Sequence, residues 1–238
     1  MRSKTKAAFI GFGEINTPSE VIKKKLTTAM KELEGLGIEL ITTDYVYDDL
    51  ERKEAERAVA ELKNKDFDFV VICVAGWIPT YPIIRVIDEF SHKPMLLWGL
   101  AGYYENGIMA TTAAQAGTTA LRKPMEDLGY RFKYVYSTID SSSPLDKIES
   151  FARAAKAVDL LRHARIGQMG FRDMKLYGTL FDGISLRKKI GPEVEFFEML
   201  EMVQRIEKLD SKEIKKVAEK AKSEWKSDKP IKDEVFIK

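Results

Sequence analysis

A single cysteine, Cys73, stands in this chain of 238 residues, so no internal disulfide can form. That suits a reducing compartment, and a cytoplasmic location is the expectation. Cys73 lies inside an apolar run and reads as a small buried hydrophobe. Histidine is nearly as scarce. His92 and His163 are the two present, and neither falls in a metal-ligand spacing such as H-E-x-x-H. His92 precedes a buried strand and reads as a loop residue; His163 falls in the last turn of a helix, where its positive charge is favoured. Three asparagines and three glutamines stand against 39 Lys+Arg and 37 Asp+Glu, a bias that resembles hyperthermophile proteins. Long apolar runs are missing too. After the basic stretch Met1–Lys6 only Ala7–Ile10 is apolar, too short for a signal peptide or a membrane span. The formal net charge of +2 carries no electrostatic footprint for nucleic acid. No P-loop, G-x-S-x-G elbow or C-x-x-C pair occurs, and no repeat of solenoid period.

What is present is a globular composition, 45% hydrophobic and 32% charged, with apolar runs and helical patterns in alternation. Residues 7–11 form a short apolar strand. Thr17-Pro18-Ser19-Glu20 then reads as a helix start, with Thr17 as N-cap, Pro18 at the first helical position and Glu20 closing a capping box. Val21, Leu26, Ala29, Met30 and Leu33 recur at helical spacing until Gly35 and Gly37. Strands are expected over 38–42, 67–74, 95–98 and 132–136, and helices over 50–62, 82–90, 111–128 and 144–163. The 67–74 run is apolar almost throughout, as a parallel strand covered on both faces should be. Ser143-Pro144 repeats the N-cap and proline signal. Five strand–helix units of this length predict a doubly wound, Rossmann-like parallel sheet over residues 1–163. A second α/β cycle begins at Arg165, with a helix near 181–189, a strand over 194–197 and a charged helical tail, so residues 164–238 read as a partial second domain.

Ligands of open α/β sheets bind beyond the carboxyl ends of the strands. Three segments there have unusual composition. Gly11-Phe12-Gly13-Glu14-Ile15-Asn16 fails as a dinucleotide fingerprint, because Asn16 stands where the third glycine belongs. It reads either as a tight strand-to-helix turn or as a turn whose Glu14 takes sugar hydroxyls. Gly76-Trp77-Ile78-Pro79-Thr80-Tyr81-Pro82 is a stiff aromatic loop, and the flat faces of Trp77 and Tyr81 suit a sugar. The competing role for Trp77 is to plug the sheet edge. Residues 98–117 form a long polar-aromatic segment, in which Gln115 either reaches a ligand or faces solvent. Asp48 and Asp49 read as loop and cap residues of the next helix.

Further along, Arg165-Ile166-Gly167-Gln168-Met169-Gly170-Phe171-Arg172 continues through Tyr177-Gly178-Thr179, Phe181-Asp182 and Leu186-Arg187-Lys188-Lys189-Ile190-Gly191 to Val194-Glu195. This resembles the start of the second domain in the L-fucose isomerase and L-arabinose isomerase superfamily. The 77–81 loop resembles that family's aromatic loop after the third strand. Gln115 with Arg122 is similar to the segment holding a sugar-contacting glutamine, and Glu14 falls where the family places a polar residue near substrate.

The resemblance implies a metal-dependent aldose–ketose isomerase that moves a proton between C1 and C2 through an enediol(ate), with Mn²⁺ polarising two sugar oxygens. In the family the carboxylates and histidine that bind the metal come from later domains, so no catalytic residue and no bound metal are expected in this chain. It would be the N-terminal, substrate-covering region, with Glu14, Trp77, Tyr81 and Gln115 as substrate contacts. The family forms trimers and hexamers, which implies a homo-oligomer; the partners expected are an aldose or ketose, with neither nucleic acid nor membrane. A non-catalytic sugar-binding or regulatory module is the alternative. A nucleotide-dependent oxidoreductase comes third, because the glycine fingerprint is broken.

Overall fold

The computed structural model describes residues 4–138 and 140–237, the last two by backbone alone; the start of the basic Met1–Lys6 stretch lies outside the described residues. The chain divides into two compact units, residues 1–160 and 161–238.

The first unit is built on a five-stranded sheet. Its strands are β1 (Lys6–Phe12), β2 (Glu39–Thr42), β3 (Phe69–Val74), β4 (Met95–Ala101) and, after a hairpin, β7 (Phe132–Thr138). They lie in the order β2-β1-β3-β4-β7, and every pairing is parallel. The helices between them are α1 (Ser19–Gly35), α2 (Lys53–Leu62), α3 (Thr80–Asp88) and α4 (Ala114–Asp127), and α5 (Leu145–His163) follows β7. This is the doubly wound, Rossmann-like sheet expected from the alternation of runs.

Strand periodicity sorts the core into two layers, because successive side chains point to opposite faces. Ala8, Ile10, Val70, Ile72, Val74 and Leu97 pack with residues of α2, α3 and α4. Ala7, Phe9, Phe69, Val71, Leu96 and Trp98 pack with Ile22, Leu26, Ala29 and Leu33 of α1 and with Ile148, Ala152 and Ala155 of α5. β3 is buried at every position, which is why its sequence is a continuous apolar run rather than an alternating one. Each fully buried Val, Leu, Ile or Phe side chain contributes about 1.5–3 kcal/mol. Asp68 is a buried carboxylate; it accepts from the Lys6 backbone N–H at 2.8 Å and pairs with Lys156 of α5 at 3.0 Å.

Helix starts depart from the sequence expectation. The Thr17–Glu20 capping box is not made: α1 begins at Ser19 behind Pro18, with no side-chain cap, and the first bonds run from Val21 and Ile22 N–H to the Pro18 carbonyl. α2 begins three residues later than expected, because Arg52 takes a left-handed conformation (φ 59°) before it. Asp49 reaches over this break and accepts from the N–H groups of Lys53 and Glu54. The long 98–117 segment holds more structure than expected. β4 runs on to Ala101, and β5 (Tyr103–Glu105) and β6 (Ile108–Ala110) form an antiparallel hairpin. Its turn is Asn106-Gly107, both at positive φ, the pair that a two-residue hairpin loop favours.

In the second unit β8 (Arg165–Met169) pairs in parallel with β9 (Glu193–Phe197), and α6 (Gly183–Lys189) connects them. Asp182 caps α6 by accepting from the Ile184 and Ser185 N–H groups. Next come α7 (Met199–Ile206), α8 (Ser211–Glu224) and the short α9 (Asp233–Ile237). Many apolar side chains of this unit are exposed, among them Phe171, Met174, Tyr177 and Ile184.

Candidate functional site

The sheet reverses direction between β1 and β3: α1 leaves β1 toward one face and α3 leaves β3 toward the other. In such sheets the crevice beyond the carboxyl ends at this switch point receives ligands. The turns after β1 and β3 lie close together. A Cβ at Gly76 would stand 3.6 Å from Gly13 Cα and 3.7 Å from the Glu14 nitrogen. It would also meet Ile22 Cδ1 at 2.9 Å, and a Cβ at Gly13 would meet the same atom at 2.8 Å. The glycines of the broken fingerprint therefore serve the close approach of α1 to the strand ends, which accounts for them without a pyrophosphate.

Glu14 sits half-buried in the turn after β1. The next residue, Ile15, donates its N–H to the Asp48 carboxylate at 2.8 Å, which ties this turn to the segment after β2. Trp77, beyond β3, keeps 39% of its surface exposed, so it is not sealed in the core as an edge plug would be. Its backbone N–H donates to the Thr112 carbonyl at 2.6 Å, and a Cβ at Gly117 would lie 3.5 Å from its Cα. The aromatic loop is thus held against the first turn of α4. Tyr81, in the first turn of α3, is 40% exposed; its hydroxyl reaches the Asp49 carbonyl at 3.4 Å, and the Arg52 guanidinium stands 5.5 Å from its ring centre. Gln115 opens α4, is exposed, and accepts from the Tyr136 hydroxyl at 3.1 Å. All four residues follow carboxyl ends of strands. Tyr81 leans toward the β2–α2 segment, while Trp77 and Gln115 belong with the start of α4.

Two clefts of this unit are large enough for a small molecule. One of about 840 Å³ runs along the edge strand β7, between residues of α4 and α5, and includes Pro94, Arg131 and Phe132 at the amino ends of their strands. The other, about 520 Å³, lies at the carboxyl edge between α1, the end of β4 with the hairpin, and the turn after β7. Position favours the second as a ligand site. None of Glu14, Trp77, Tyr81 and Gln115 lines it.

Its polar groups are ones the sequence reading passed over. Lys25 Nζ donates to the Ala75 carbonyl at 2.7 Å and to Thr112 Oγ1 at 2.9 Å. Burial pulls its pKa down from 10.5 to about 8, against a smaller opposing effect of Cys73. Cys73 is fully buried, and that burial pushes its thiol up, well away from a reactive thiolate. On the far side of the cleft a chain of hydroxyls runs inward. Trp98 Nε1 donates to Ser137 Oγ at 2.8 Å, Ser137 to Ser143 Oγ at 3.3 Å, and Ser143 to Glu32 Oε1 at 3.0 Å. One signal did exist: Lys25 interrupts the stripe of Ile22, Leu26 and Ala29, and Glu32 follows it two turns later on the same helix face.

Among the described residues no group of three or more His, Cys, Asp and Glu is placed to hold a metal ion. The side chains described do not fit the Mn²⁺ that the family resemblance implies, and no chemical step is routed through it. No described helix is long and apolar enough to cross a membrane.

No protein-family model matches the chain. Over 183 residues it is 22% identical to L-fucose isomerase of Haemophilus influenzae, a span of 76% of this chain and 30% of that protein. This chain is thus similar, at a distance, to less than a third of a curated sugar isomerase, with a Rossmann-like sheet as the fold.

Proposed function

We propose that this chain is the N-terminal, substrate-covering region of an aldose–ketose isomerase of the fucose/arabinose class, with the metal and the acid–base groups supplied by residues outside it. The similarity to a portion of L-fucose isomerase carries this reading. The exposed aromatic loop at the switch point supports it, because flat aromatic faces suit the C–H face of a sugar. In this role Trp77 and Tyr81 pack on the sugar, and Glu14 and Gln115 hydrogen-bond its hydroxyls. The active site would be completed by association with other subunits, as a trimer or hexamer. The polypeptide carrying this region, supplied with Mn²⁺, should interconvert an L-aldose with its ketose, and alanine at Trp77 or Tyr81 should lower turnover. Failure to isomerise any aldopentose or 6-deoxyhexose with Mn²⁺, Mg²⁺ or Co²⁺ would overturn the reading.

A second reading is a non-catalytic sugar-binding or regulatory module. It rests on the open parallel sheet alone, whose carboxyl edge can take a ligand without catalysis. It expects metal-independent sugar binding by the 238-residue chain, with no turnover in any larger polypeptide.

A further inference from the structure

The cleft between α1 and the β5–β6 hairpin is separate from the four residues assigned to the sugar above. It is lined by two lysine and three glutamate side chains and by seven residues bearing hydroxyls. With both signs present and acid slightly in excess, it suits neither a phosphate nor a strongly cationic ligand. It has the chemistry of a site for a neutral, polyhydroxylated molecule: carboxylates accept from hydroxyls, an ammonium donates to them, and tyrosine rings cover C–H surface. Its volume of about 520 Å³ falls in the range of small-molecule sites.

Two groups in it are built rather than incidental. Lys25 is half-buried and held by two acceptors, Ala75 O and Thr112 Oγ1; an ammonium has three donors, and the third meets no acceptor among the described residues. Glu32 is half-buried as well. Its Oε1 is fixed by Ser143 at the end of the relay from Trp98, and its Oε2 accepts nothing among the described residues. One donor and one acceptor, each locked by a second layer of hydrogen bonds, thus face the same cleft. Tyr103 and Tyr104 of the hairpin form its rim, and the Tyr104 hydroxyl donates to Asp140.

We propose that this cleft is a second ligand site, which takes a neutral polyol or sugar between Lys25 and Glu32 under the hairpin tyrosines. Lys25 donates to one ligand oxygen, and Glu32 accepts from a hydroxyl about two helical turns away. The site rests on its own residues and stands whether or not the Trp77 loop contacts substrate.

The test is amide and indole NMR titration of the 238-residue chain with L-fucitol, L-arabinitol and ribitol up to 50 mM, with glucose 6-phosphate as the anionic arm. At least one neutral alditol should saturably shift the amides of Ser137, Ser143 and Tyr103. Lys25→Met and Glu32→Gln should each weaken that response at least tenfold, since each loses a charge-assisted hydrogen bond. Glu32→Gln is nearly isosteric and remote from the Trp77 loop, so it keeps the test sound if Lys25→Met folds poorly. The Trp77 indole signal reports the aromatic loop separately, so failure of one site is distinguishable from failure of the other. No shift at Ser137, Ser143 and Tyr103 with any alditol, shifts that persist unchanged in Glu32→Gln, or saturation by glucose 6-phosphate alone would each overturn the proposal.

Discussion

A Cβ placed on Gly99 would come within 2.7 Å of Thr118 Oγ1 and 3.2 Å of its Cβ and Cγ2, so β4 and α4 meet where there is room for a hydrogen atom and little more. Thr118 is fully buried and cannot swing away, because its hydroxyl donates to the Ala114 carbonyl at 2.6 Å. Gly99→Ala should cost about 1–3 kcal/mol, the usual range for overpacking. Thr118→Ala removes the obstructing atoms, so the double variant should be more stable than the summed losses by about 1 kcal/mol or more. Urea midpoints of the four proteins measure this coupling, and simple additivity would show that the two elements separate freely.

The Asp68–Lys156 pair makes a second prediction. Asp68 is 4% exposed, so its charge depends on Lys156 and on the Lys6 N–H. Lys156→Met would leave the carboxylate buried with one neutral donor, and about 3 kcal/mol of stability should be lost. Adding Asp68→Asn to that variant should restore part of the loss by removing the uncompensated charge. A single Lys156→Met variant with an unchanged denaturation midpoint would refute the account.

Lys25 gives the fold a pH dependence of known sign. Its pKa is about 8 in the folded protein and 10.5 in the unfolded chain. Between these values the unfolded chain holds the proton more often than the folded one, so stability rises with pH across that window. The contribution is complete above 10.5 and is lost as pH falls through 8. Tyr130 opposes it at higher pH: burial and then its hydrogen bond to Asp88 push its phenol up to about 12, so its contribution fades as pH rises from 10. Burial also pushes the Cys73 thiol up from 9.0, so it opposes the rise from pH 9, and the comparison is made against Lys25→Met, which keeps both groups. Between pH 8 and 10 the melting temperature of the parent protein should climb relative to that of Lys25→Met, and parallel curves would show that the amine titrates normally.

How much of this was legible in the residues follows from which physical effect decided each feature. The parallel sheet could be read because β3 is apolar at every position and each helix has one apolar stripe. Helix starts were less legible. Pro18 ended the Thr17 capping box as a possibility by opening α1 itself, and Asp49 caps α2 from outside the usual spacing, across the left-handed Arg52. The Asn106-Gly107 hairpin carries a strong local signal, but it lies within a polar-aromatic segment whose composition does not set strand apart from loop. Lys25 and Glu32 carried a local signal as polar breaks beside the apolar stripe of α1, but nothing local pointed to the 520 Å³ cleft they line. Glu32 and Ser143 are 111 residues apart, and their meeting depends on the whole winding of α1 and α5 onto the same face.

The last prediction concerns the aromatic loop. Trp77 and Tyr81 are each about 40% exposed, and neither fills a closed space. Replacing Trp77 with alanine should therefore cost well below the roughly 3–5 kcal/mol of a buried tryptophan. Tyr81→Ala loses a long hydrogen bond to the Asp49 carbonyl and a contact with Arg52, both at the surface, and should cost less than about 1 kcal/mol. If these rings stack on a sugar, the same changes should cut its affinity by about two- to tenfold each without unfolding the protein, matching the roughly 0.5–1.5 kcal/mol of an aromatic contact. Tyr81→Phe keeps the ring face and should retain most of the affinity, because the hydroxyl is directed at Asp49 rather than at the ligand. Titration of an alditol against the Trp77 indole signal, alongside thermal melts of the same variants, separates the two quantities. Equal affinity in the parent, Trp77→Ala and Tyr81→Ala would remove the aromatic loop from the sugar site.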